Sequence, residues 1–276
     1  MRVIVYEEPG IKFCEPLPND WHLVGVELKR QLIEAGFEVY DEHEVIPDAD
    51  KDIAFYADAL LRPNHPLVHK KSLYISLEPP VINPRFYDRI QGWSYSRILT
   101  FSRQHVDNKR IFYSPYPNVR YIDWPMGGCY IRGSPEWVKL EERRKEKETR
   151  KDLCAITANK GSSHPAELYG ARREIYRAMG KRLDLYGHGW QSDPLVNFVN
   201  YHGPCLHTSP IYQQYKHAIS IENQWLEGYA SEKYWTPLQA GCEFLIRIGW
   251  KPDFELKDCD EIGWSRGIVE HIKAIA

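Results

Sequence analysis

The chain has 276 residues, of which 43% are hydrophobic and 13% aromatic, enough for the cores of two compact α/β domains or one large one. A net charge of −2 and a pI near 6.6 give no support to nucleic-acid binding or to membrane-surface binding through overall electrostatics, so any phosphate must be bound by a few placed cations. No apolar run approaches the ~20 residues that span a bilayer, and Met1 leads directly into a predicted strand. We therefore expect a soluble, cytoplasmic protein, at most peripheral to a membrane.

The first half of the chain alternates predicted strands with helical segments. An amphipathic helix is predicted over residues 21–35 and is closed by Gly36. Short extended pieces are predicted near Val39 and Val45. A clear buried strand ends at Glu78-Pro79-Pro80, which places a carboxylate at the carboxyl end of a strand. The strands predicted in this half cover residues 2–6, 52–56, 72–77, 97–101 and 110–113.

Composition changes at residues 136–151, where both signs of charge are dense and Glu141 can pair with Lys145 across one helical turn. We interpret this stretch as a solvated helix or linker. The predicted organisation is therefore a first domain over 1–133, a charged linker over 134–151, a second domain over 152–260 and a terminal helix over 261–276.

The second half repeats the alternation of strands and helices. Its predicted strands are 152–157, 183–186, 218–221 and 244–248, and its predicted helices are 165–179, 210–216, one starting at Ser231, and 265–275. Strands that alternate with helices in both halves predict two parallel sheets, that is, two Rossmann-like domains.

The segment from Tyr215 to Gly241 carries the strongest functional signal. A buried strand, Ala218–Ile221, is followed by the polar pair Glu222-Asn223, a loop with Tyr229, and the helix-starting triplet Ser231-Glu232-Lys233. A strand, a polar loop and a helix N-terminus in this order form an anion site in α/β folds, because the first turn of a helix offers free N–H groups and a partial positive charge. A lysine there adds the full charge that suits a diphosphate.

This segment resembles the signature of glycosyltransferase family 10, the α-1,3/1,4-fucosyltransferases, in its soluble bacterial or viral form. That pattern is roughly Y-K-F-x-x-x-F-E-N-S, a short loop, then Y-x-T-E-K-x-x-x-x-L-x-A-G. Further matches are Asn159 after a strand, Arg172 four residues before Tyr176, and Glu78 in a motif similar to E-S-P. Arg173 stays open as the alternative to Arg172. The resemblance covers 152–241 well and 73–117 loosely.

The resemblance implies a GT-B fold, with two Rossmann-like domains facing each other across a cleft, and inverting, metal-independent transfer of fucose from GDP-fucose to a hydroxyl of a glycan. Glu78 would be the catalytic base. Tyr229 would either close over the donor or pack within the fold. The other implied donor-binding residues are Lys233 and Arg172 on the diphosphate, Asn223, Glu222 and Glu232 on ribose or sugar hydroxyls, and Asn159.

No metal and no bound cofactor are expected. The six cysteines form no CxxC pair, which indicates free thiols in a reducing compartment, and no HExxH motif occurs. Asp48-Ala49-Asp50 precedes a predicted strand instead of following one, so we interpret it as a solvated turn. Gly187-His188-Gly189 is a turn fragment too short to indicate dinucleotide binding.

Three departures from the family pattern leave alternatives open. Ala218 stands where many members have an aromatic residue, Pro237 lies inside the predicted helix that starts at Ser231, and the chain differs from the family beyond Gly241. Pro237 is expected to kink or shorten that helix. A different nucleotide-sugar donor is one alternative, and a nucleotide- or glycan-binding protein without transfer activity is another. The acceptor and the oligomeric state cannot be read from the sequence.

Overall fold

The computed structural model describes residues 1–6, 20–57, 69–115, 150–205, 208–259 and 261–276. The chain divides into two compact units, and each is built around its own parallel sheet. Unit 1 comprises Met1–Val119, Leu226–Tyr229 and Pro252–Ala276, and unit 2 comprises Arg120–Trp225 and Ala230–Lys251. The predicted charged linker over 134–151 lies outside the described residues except for its last two.

The sheet of unit 1 has six described strands, all of which pair in parallel in the order β2-β1-β3-β4-β5-β6. The order of the strands along the chain reverses between β1 and β3. Val39 lies in β2 as predicted, whereas Val45 lies in a turn and forms no strand, so that prediction was wrong. The strands are β1 (Arg2–Tyr6), β2 (Glu38–Asp41), β3 (Ile53–Ala57), β4 (Lys71–Ile75), β5 (Arg97–Thr100) and β6 (Ile111–Tyr113).

Both faces of this sheet are covered, as the near-continuous apolar strands require. One face carries an aromatic cluster in which Tyr6 stacks on Tyr56 at 4.8 Å and Tyr74 stacks on Phe86 at 4.6 Å between ring centroids. Phe86 belongs to a short helix, α2 (Pro84–Tyr87), whose first turn is capped by the Asn83 side chain. This helix was not predicted, because four residues are too few to show a helical period.

The C-terminal segment of the chain belongs to unit 1. It forms α6 (Leu256–Cys259) and α7 (Glu261–Lys273), and α7 packs against α1 (Asp20–Glu34). The ring of His271 on α7 lies 5.0 Å from Phe112, and its Nδ1 lies 2.9 Å from Arg97 Nη1. The predicted terminal helix therefore covers a sheet formed mainly by the first half of the chain.

The sheet of unit 2 has five described strands, all parallel, in the order β11-β10-β7-β8-β9. The order of its strands along the chain reverses between β7 and β10, a topological switch point of the kind at which open α/β sheets bind ligands. The elements are β7 (Lys151–Ile156), α3 (Tyr169–Met179), β8 (Asp184–Tyr186), β9 (Asn200–Tyr201), α4 (Ser209–Tyr212), β10 (Tyr215–Ile221), α5 (Glu232–Gln239) and β11 (Glu243–Ile248).

Three boundaries in unit 2 differ from the prediction for a local reason. The helix predicted over 210–216 ends at Tyr212, because the chain enters β10 at Tyr215. The helix predicted from residue 165 begins only at Tyr169, because the Glu167 carboxylate accepts the N–H groups of Tyr169 and Gly170 and so caps the helix at that point. The strand predicted from Ala218 begins at Tyr215, where pairing with Lys151 in β7 extends it by three residues. The two-residue β9 was missed, since so short a strand leaves no pattern.

Within the described ranges, no helix combines the length and the apolar character needed to cross a lipid bilayer.

Candidate functional site

A pocket of about 230 Å³ opens at the switch point of unit 2. Its walls come from the residues that follow β7, β8 and β10 and from the first turn of α5, so it lies at the carboxyl ends of the strands. Four side chains predicted to bind the donor line it together: Arg172, Asn223, Glu232 and Lys233. The sequence segment with the strongest signal therefore forms one wall of this pocket.

The turn after β8 can approach β7 only because it contains a glycine. Gly187 has a φ of +125°, and its N–H donates to Gly203 O at 2.9 Å. A Cβ at this position would lie 2.0 Å from Thr157 O. The close approach of the two loops places Gly187 and His188 in the wall of the pocket, although the sequence indicated only a turn fragment there.

The first turn of α5 is held in place by Ser231. Its hydroxyl accepts the N–H of Lys233, as an N-cap does, and donates to Glu222 Oε2 at 2.6 Å. The N–H of Ser231 donates to Glu222 Oε1 at 2.9 Å. Glu222 is 1% exposed, and this burial raises the pKa of its carboxyl group. Both oxygens of Glu222 thus join the end of β10 to the start of α5, and Glu222 does not line the pocket.

Pro237 lies inside α5, and the helix continues beyond it to Gln239. Because proline lacks an N–H, the carbonyl of Lys233 has no helical partner four residues ahead. Ser220 of β10 compensates, since its hydroxyl donates to Lys233 O at 2.6 Å. The proline therefore leaves Lys233 O free to accept a hydrogen bond from β10, and this bond holds the backbone of Lys233 in place.

Lys233 is the cation closest to the N-terminus of α5. Its Nζ lies 2.5 Å from Glu232 Oε1, and its side chain is 15% exposed. Although burial favours the neutral forms of both groups, their mutual attraction raises the pKa of Lys233 and lowers the pKa of Glu232. Both side chains are therefore ionised, and a ligand phosphate would compete with Glu232 for the ammonium group.

Arg172 lies on α3 and is 2% exposed. Its Nη2 donates to the carbonyls of Ile221 at 2.8 Å and Glu222 at 3.1 Å, and its Nη1 donates to Ala158 O at 3.3 Å. The guanidinium group thereby connects the ends of β7 and β10. Its Nε is buried and has no hydrogen-bond partner among the described residues, so one donor of this cation is unsatisfied.

The neighbouring predicted residues divide between the pocket and its support. Asn223 is 8% exposed, lines the pocket and accepts a 3.4 Å hydrogen bond from Arg172 Nη2. Asn159 stands behind the pocket, where its Oδ1 accepts from Arg173 Nη2 at 2.6 Å and its Nδ2 donates to Asp193 Oδ2 at 3.0 Å. Arg173 holds Asn159 and does not line the pocket, whereas Arg172 does.

Two predicted residues lie in unit 1. Tyr229 is 2% exposed and packs on Phe101, with 4.7 Å between the ring centroids. Glu78 follows β4, and its carbonyl accepts hydrogen bonds from Ser76 Oγ at 3.1 Å and from the Tyr87 hydroxyl at 3.2 Å. The structure therefore brings four of the eight predicted residues to one pocket and holds Asn159 and Glu222 just behind it.

Four other residues that line the pocket were not predicted from the sequence. They come from three separate loops, and none belongs to a recognised motif: Lys160, His188, Cys205 and Thr208. Of these four residues only Lys160 could have been predicted, because it is a cation four residues beyond the buried strand β7. The Thr208 hydroxyl is buried and has no hydrogen-bond partner among the described residues, which gives the pocket a second unsatisfied polar group.

No cluster of three or more His, Cys, Asp or Glu side chains that could hold a metal ion occurs among the described residues. The polar groups that line the pocket are mainly cations and N–H or hydroxyl donors, which suit a bound anion.

Several solved structures share the fold of this chain. No protein-family model and no curated protein matches the sequence. Anabaena Alr3699/HepE in complex with UDP aligns at a TM-score of 0.50 and 8% identity, over 100% of this chain and 97% of that one. The E. coli trehalose-6-phosphate protein bound with UDP-2-fluoro glucose aligns at 0.52 and 8% identity, over 100% and 96%. The chain has the GT-B fold.

An α1,3-fucosyltransferase with GDP-fucose also aligns, at 13% identity over 99% of this chain and 77% of that one. Its TM-score of 0.49 adds nothing to the fold assignment. At these identities the comparisons establish the two-domain GT-B fold, in which both predicted parallel sheets are confirmed.

Proposed function

We propose that the pocket of unit 2 binds the diphosphate of a nucleotide sugar and that the chain is an inverting, metal-independent glycosyltransferase. GDP-fucose is the proposed donor, and a hydroxyl of a glycan is the proposed acceptor. The two proteins that establish the fold, HepE and the E. coli protein, were solved with UDP and with a UDP-sugar analogue, which supports a nucleotide sugar as the class of donor.

The observation that carries the proposal is the combination of Lys233 and Arg172 with the first turn of α5 at the switch point of the sheet. A departing diphosphate develops negative charge as the sugar leaves, and fixed cations and N–H groups stabilise that charge without reorganisation. The unpartnered Nε of Arg172 and hydroxyl of Thr208 offer two further donors. The volume of about 230 Å³ lies below the roughly 300–1,000 Å³ of pockets that enclose whole drug-sized ligands, so it suits a diphosphate with part of the nucleoside.

The choice of GDP-fucose rests on the family 10 signature in 215–241. Ala218 had suggested a different packing of the donor base. Ala218 is fully buried in an apolar cluster with Cys154, Tyr212 and Cys242, so its side chain belongs to the core of unit 2. The alanine therefore gives no reason to choose another donor.

In the proposed reaction Glu78 removes the proton from the acceptor hydroxyl. The resulting oxygen attacks the anomeric carbon of the donor while the bond to the diphosphate breaks, and the diphosphate leaves to Lys233 and Arg172. Attack on the face opposite the leaving group inverts the configuration. The position of Glu78 after β4, with its backbone held by Ser76 and Tyr87, supports this role.

Calorimetric titration with GDP, GDP-fucose, GDP-mannose and UDP-glucose in EDTA tests the proposal. The wild type should bind guanine nucleotides selectively in EDTA, and Lys233→Ala should weaken binding about 10- to 100-fold, the loss of one or two charge-assisted hydrogen bonds. Lys216→Ala is the matched control, because Lys216 is an exposed lysine at the opposite end of β10. No nucleotide binding, or equal losses in both variants, would refute the diphosphate site.

Binding restricted to UDP-glucose would retain the glycosyltransferase proposal and replace its donor. Glu78→Gln separates a transferase from a binding protein of the same fold. A transferase should lose turnover of GDP-fucose on a glycan panel while its nucleotide affinity stays unchanged, whereas a binding protein shows no turnover in either form.

A further inference from the structure

A histidine that the proposed reaction does not use lies at the same sheet edge as Glu78. It follows β5, the neighbour of β4, in the short helical turn Arg103–His105. The Nδ1 of His105 lies 2.7 Å from Ser102 Oγ, and Ser102 is fully buried. This hydrogen bond fixes the orientation of the imidazole ring.

The same ring is connected to Glu78 through Tyr87. The ring centroids of Tyr87 and His105 lie 5.0 Å apart, and the Tyr87 hydroxyl lies 3.2 Å from Glu78 O. The Tyr87 hydroxyl also lies 3.1 Å from Ser76 Oγ and 3.2 Å from Thr100 Oγ1. The backbone of Glu78 and the ring of His105 are thus positioned by one side chain.

The second ring nitrogen of His105 remains available. His105 is partly exposed, and within the part of the chain that the structure describes its Nε2 makes no hydrogen bond. An imidazole held at Nδ1 presents Nε2 in a fixed direction. Burial lowers the pKa of His105, which favours the neutral ring, and a neutral Nε2 can exchange one hydrogen bond with a hydroxyl.

We propose that Ser102 and His105 form a hydroxyl-binding site, in which His105 Nε2 hydrogen-bonds a hydroxyl of a pyranose ring and positions the glycan acceptor beside Glu78. The identity of the ligand as an acceptor rests on the proposed function. The hydrogen bond with Ser102 orients the imidazole ring, and the Tyr87 ring packs against it. His105 thus positions the acceptor, and Glu78 remains the base.

The test uses the whole chain labelled with ¹⁵N-histidine. The imidazole nitrogens are followed by NMR during titration with galactose, glucose and N-acetylglucosamine, and the His105 signals are assigned by their loss in His105→Phe. We expect one of these sugars to shift His105 Nε2 in the wild type while His43, an exposed histidine of unit 1, does not respond. If no sugar shifts His105 Nε2, the proposal is wrong.

Two variants separate hydrogen bonding from packing. His105→Phe retains a ring against Tyr87 and should bind the responsive sugar about tenfold more weakly, the effect of one lost hydrogen bond. His105→Gln places an amide near the position of Nε2 and should restore part of that affinity, and His43→Gln should bind as the wild type does. Equal affinity in His105→Phe and the wild type would overturn the proposal. If His105→Phe does not fold, the His105 signals are assigned by their loss in His105→Gln, and the wild-type titration decides.

The outcome is separable from that of the nucleotide titration. A responsive His105 without nucleotide binding would refute the proposed function and leave a carbohydrate site in unit 1. Nucleotide binding that depends on Lys233, with an unresponsive His105, would refute the present inference alone.

Discussion

The carboxyl edges of the two sheets differ in how their polar groups are assembled. In unit 2 one stretch of sequence, Tyr215 to Gly241, supplies a strand, a polar loop and a helix N-terminus. Its side chains, Lys233 among them, meet two further cations, Lys160 and Arg172, at one pocket. In unit 1 the edge is formed by short turns after β4 and β5, and the hydrogen bonds around Tyr87 join the neutral groups of Ser76 and Thr100.

The difference has a physical origin. In unit 2 the start of the helix is hydrogen-bonded to the end of the preceding strand, because Ser231 donates to both oxygens of Glu222. The first helical turn is thereby held at the strand end, and a cation at a set spacing from that strand reaches the pocket. A network that joins side chains from several turns depends on how those turns pack, which local spacing does not determine. The part of the proposed anion site that comes from 215–241 is therefore encoded locally, whereas the edge of unit 1 is encoded in tertiary packing.

Among the variants that test this comparison, Gly187→Ala should have the largest effect on stability. The variant combines a positive φ, which costs about 1–3 kcal/mol, with a Cβ placed 2.0 Å from Thr157 O, which costs about 1–3 kcal/mol more. We expect a loss of about 4 kcal/mol, measured as faster hydrogen exchange of β7 and β8 amides, with β3 of unit 1 unchanged. Gly161→Ala is the control, because nothing lies within 4 Å of its added Cβ. Similar exchange rates in the two variants would contradict the close approach of the two loops.

Arg172→Met should have the next largest effect. It leaves the carbonyls of Ala158, Ile221 and Glu222 without their buried donor, which should cost unit 2 about 3 kcal/mol in urea unfolding. The matched Arg173→Met removes a partly exposed cation and should cost under about 1 kcal/mol. A reversed order would show that Arg173 connects the strand ends. Nucleotide affinity should fall with Arg172→Met alone.

Arg172 and Arg173 also show which features of the site can be predicted from the sequence and which cannot. Alternating strands and helices were sufficient to predict both parallel sheets, and the 215–241 segment was sufficient to place Asn223, Glu232 and Lys233 together. Arg172 and Arg173 are adjacent in the sequence, and only the rotation of α3 directs one to the interior and the other to Asn159. His188, Cys205 and Thr208 reach the pocket through separate loops, and the short β9 and α2 are stabilised by tertiary contacts, so local patterns could not predict them.

A smaller effect concerns the pH dependence of stability. Burial raises the folded-state pKa of Glu222 above its usual value of 4.5. The folded protein therefore holds this proton more firmly than the unfolded chain does, so the contribution to stability is complete below pH 4.5 and is lost as the pH rises through the folded-state pKa. Glu222→Gln should remove this loss, which is at most about 1.4 kcal/mol per pH unit.

The measurement for Glu222 is urea unfolding of the wild type and of Glu222→Gln at a series of pH values from 4 upwards. The free-energy difference between the two proteins should grow in favour of Glu222→Gln as the pH rises, and other carboxyl groups cancel in that difference. Glu243→Gln, an exposed glutamate at the start of β11, is the control. A difference that stays constant with pH would mean that Glu222 titrates as it does in water.

The smallest effect belongs to the edge of unit 1, with Tyr87→Phe. The variant keeps the ring against His105 and removes a hydroxyl that contacts Glu78 O, Ser76 Oγ and Thr100 Oγ1. Ser76 Oγ keeps its own hydrogen bond to Glu78 O, so we expect a net loss of about 1 kcal/mol. If that edge positions an acceptor through packing and neutral contacts, the variant should raise the KM for the acceptor severalfold and leave the nucleotide affinity of unit 2 unchanged. Weaker nucleotide binding in Tyr87→Phe would contradict the division of roles, since a change confined to one sheet edge would then act on the pocket of the other unit.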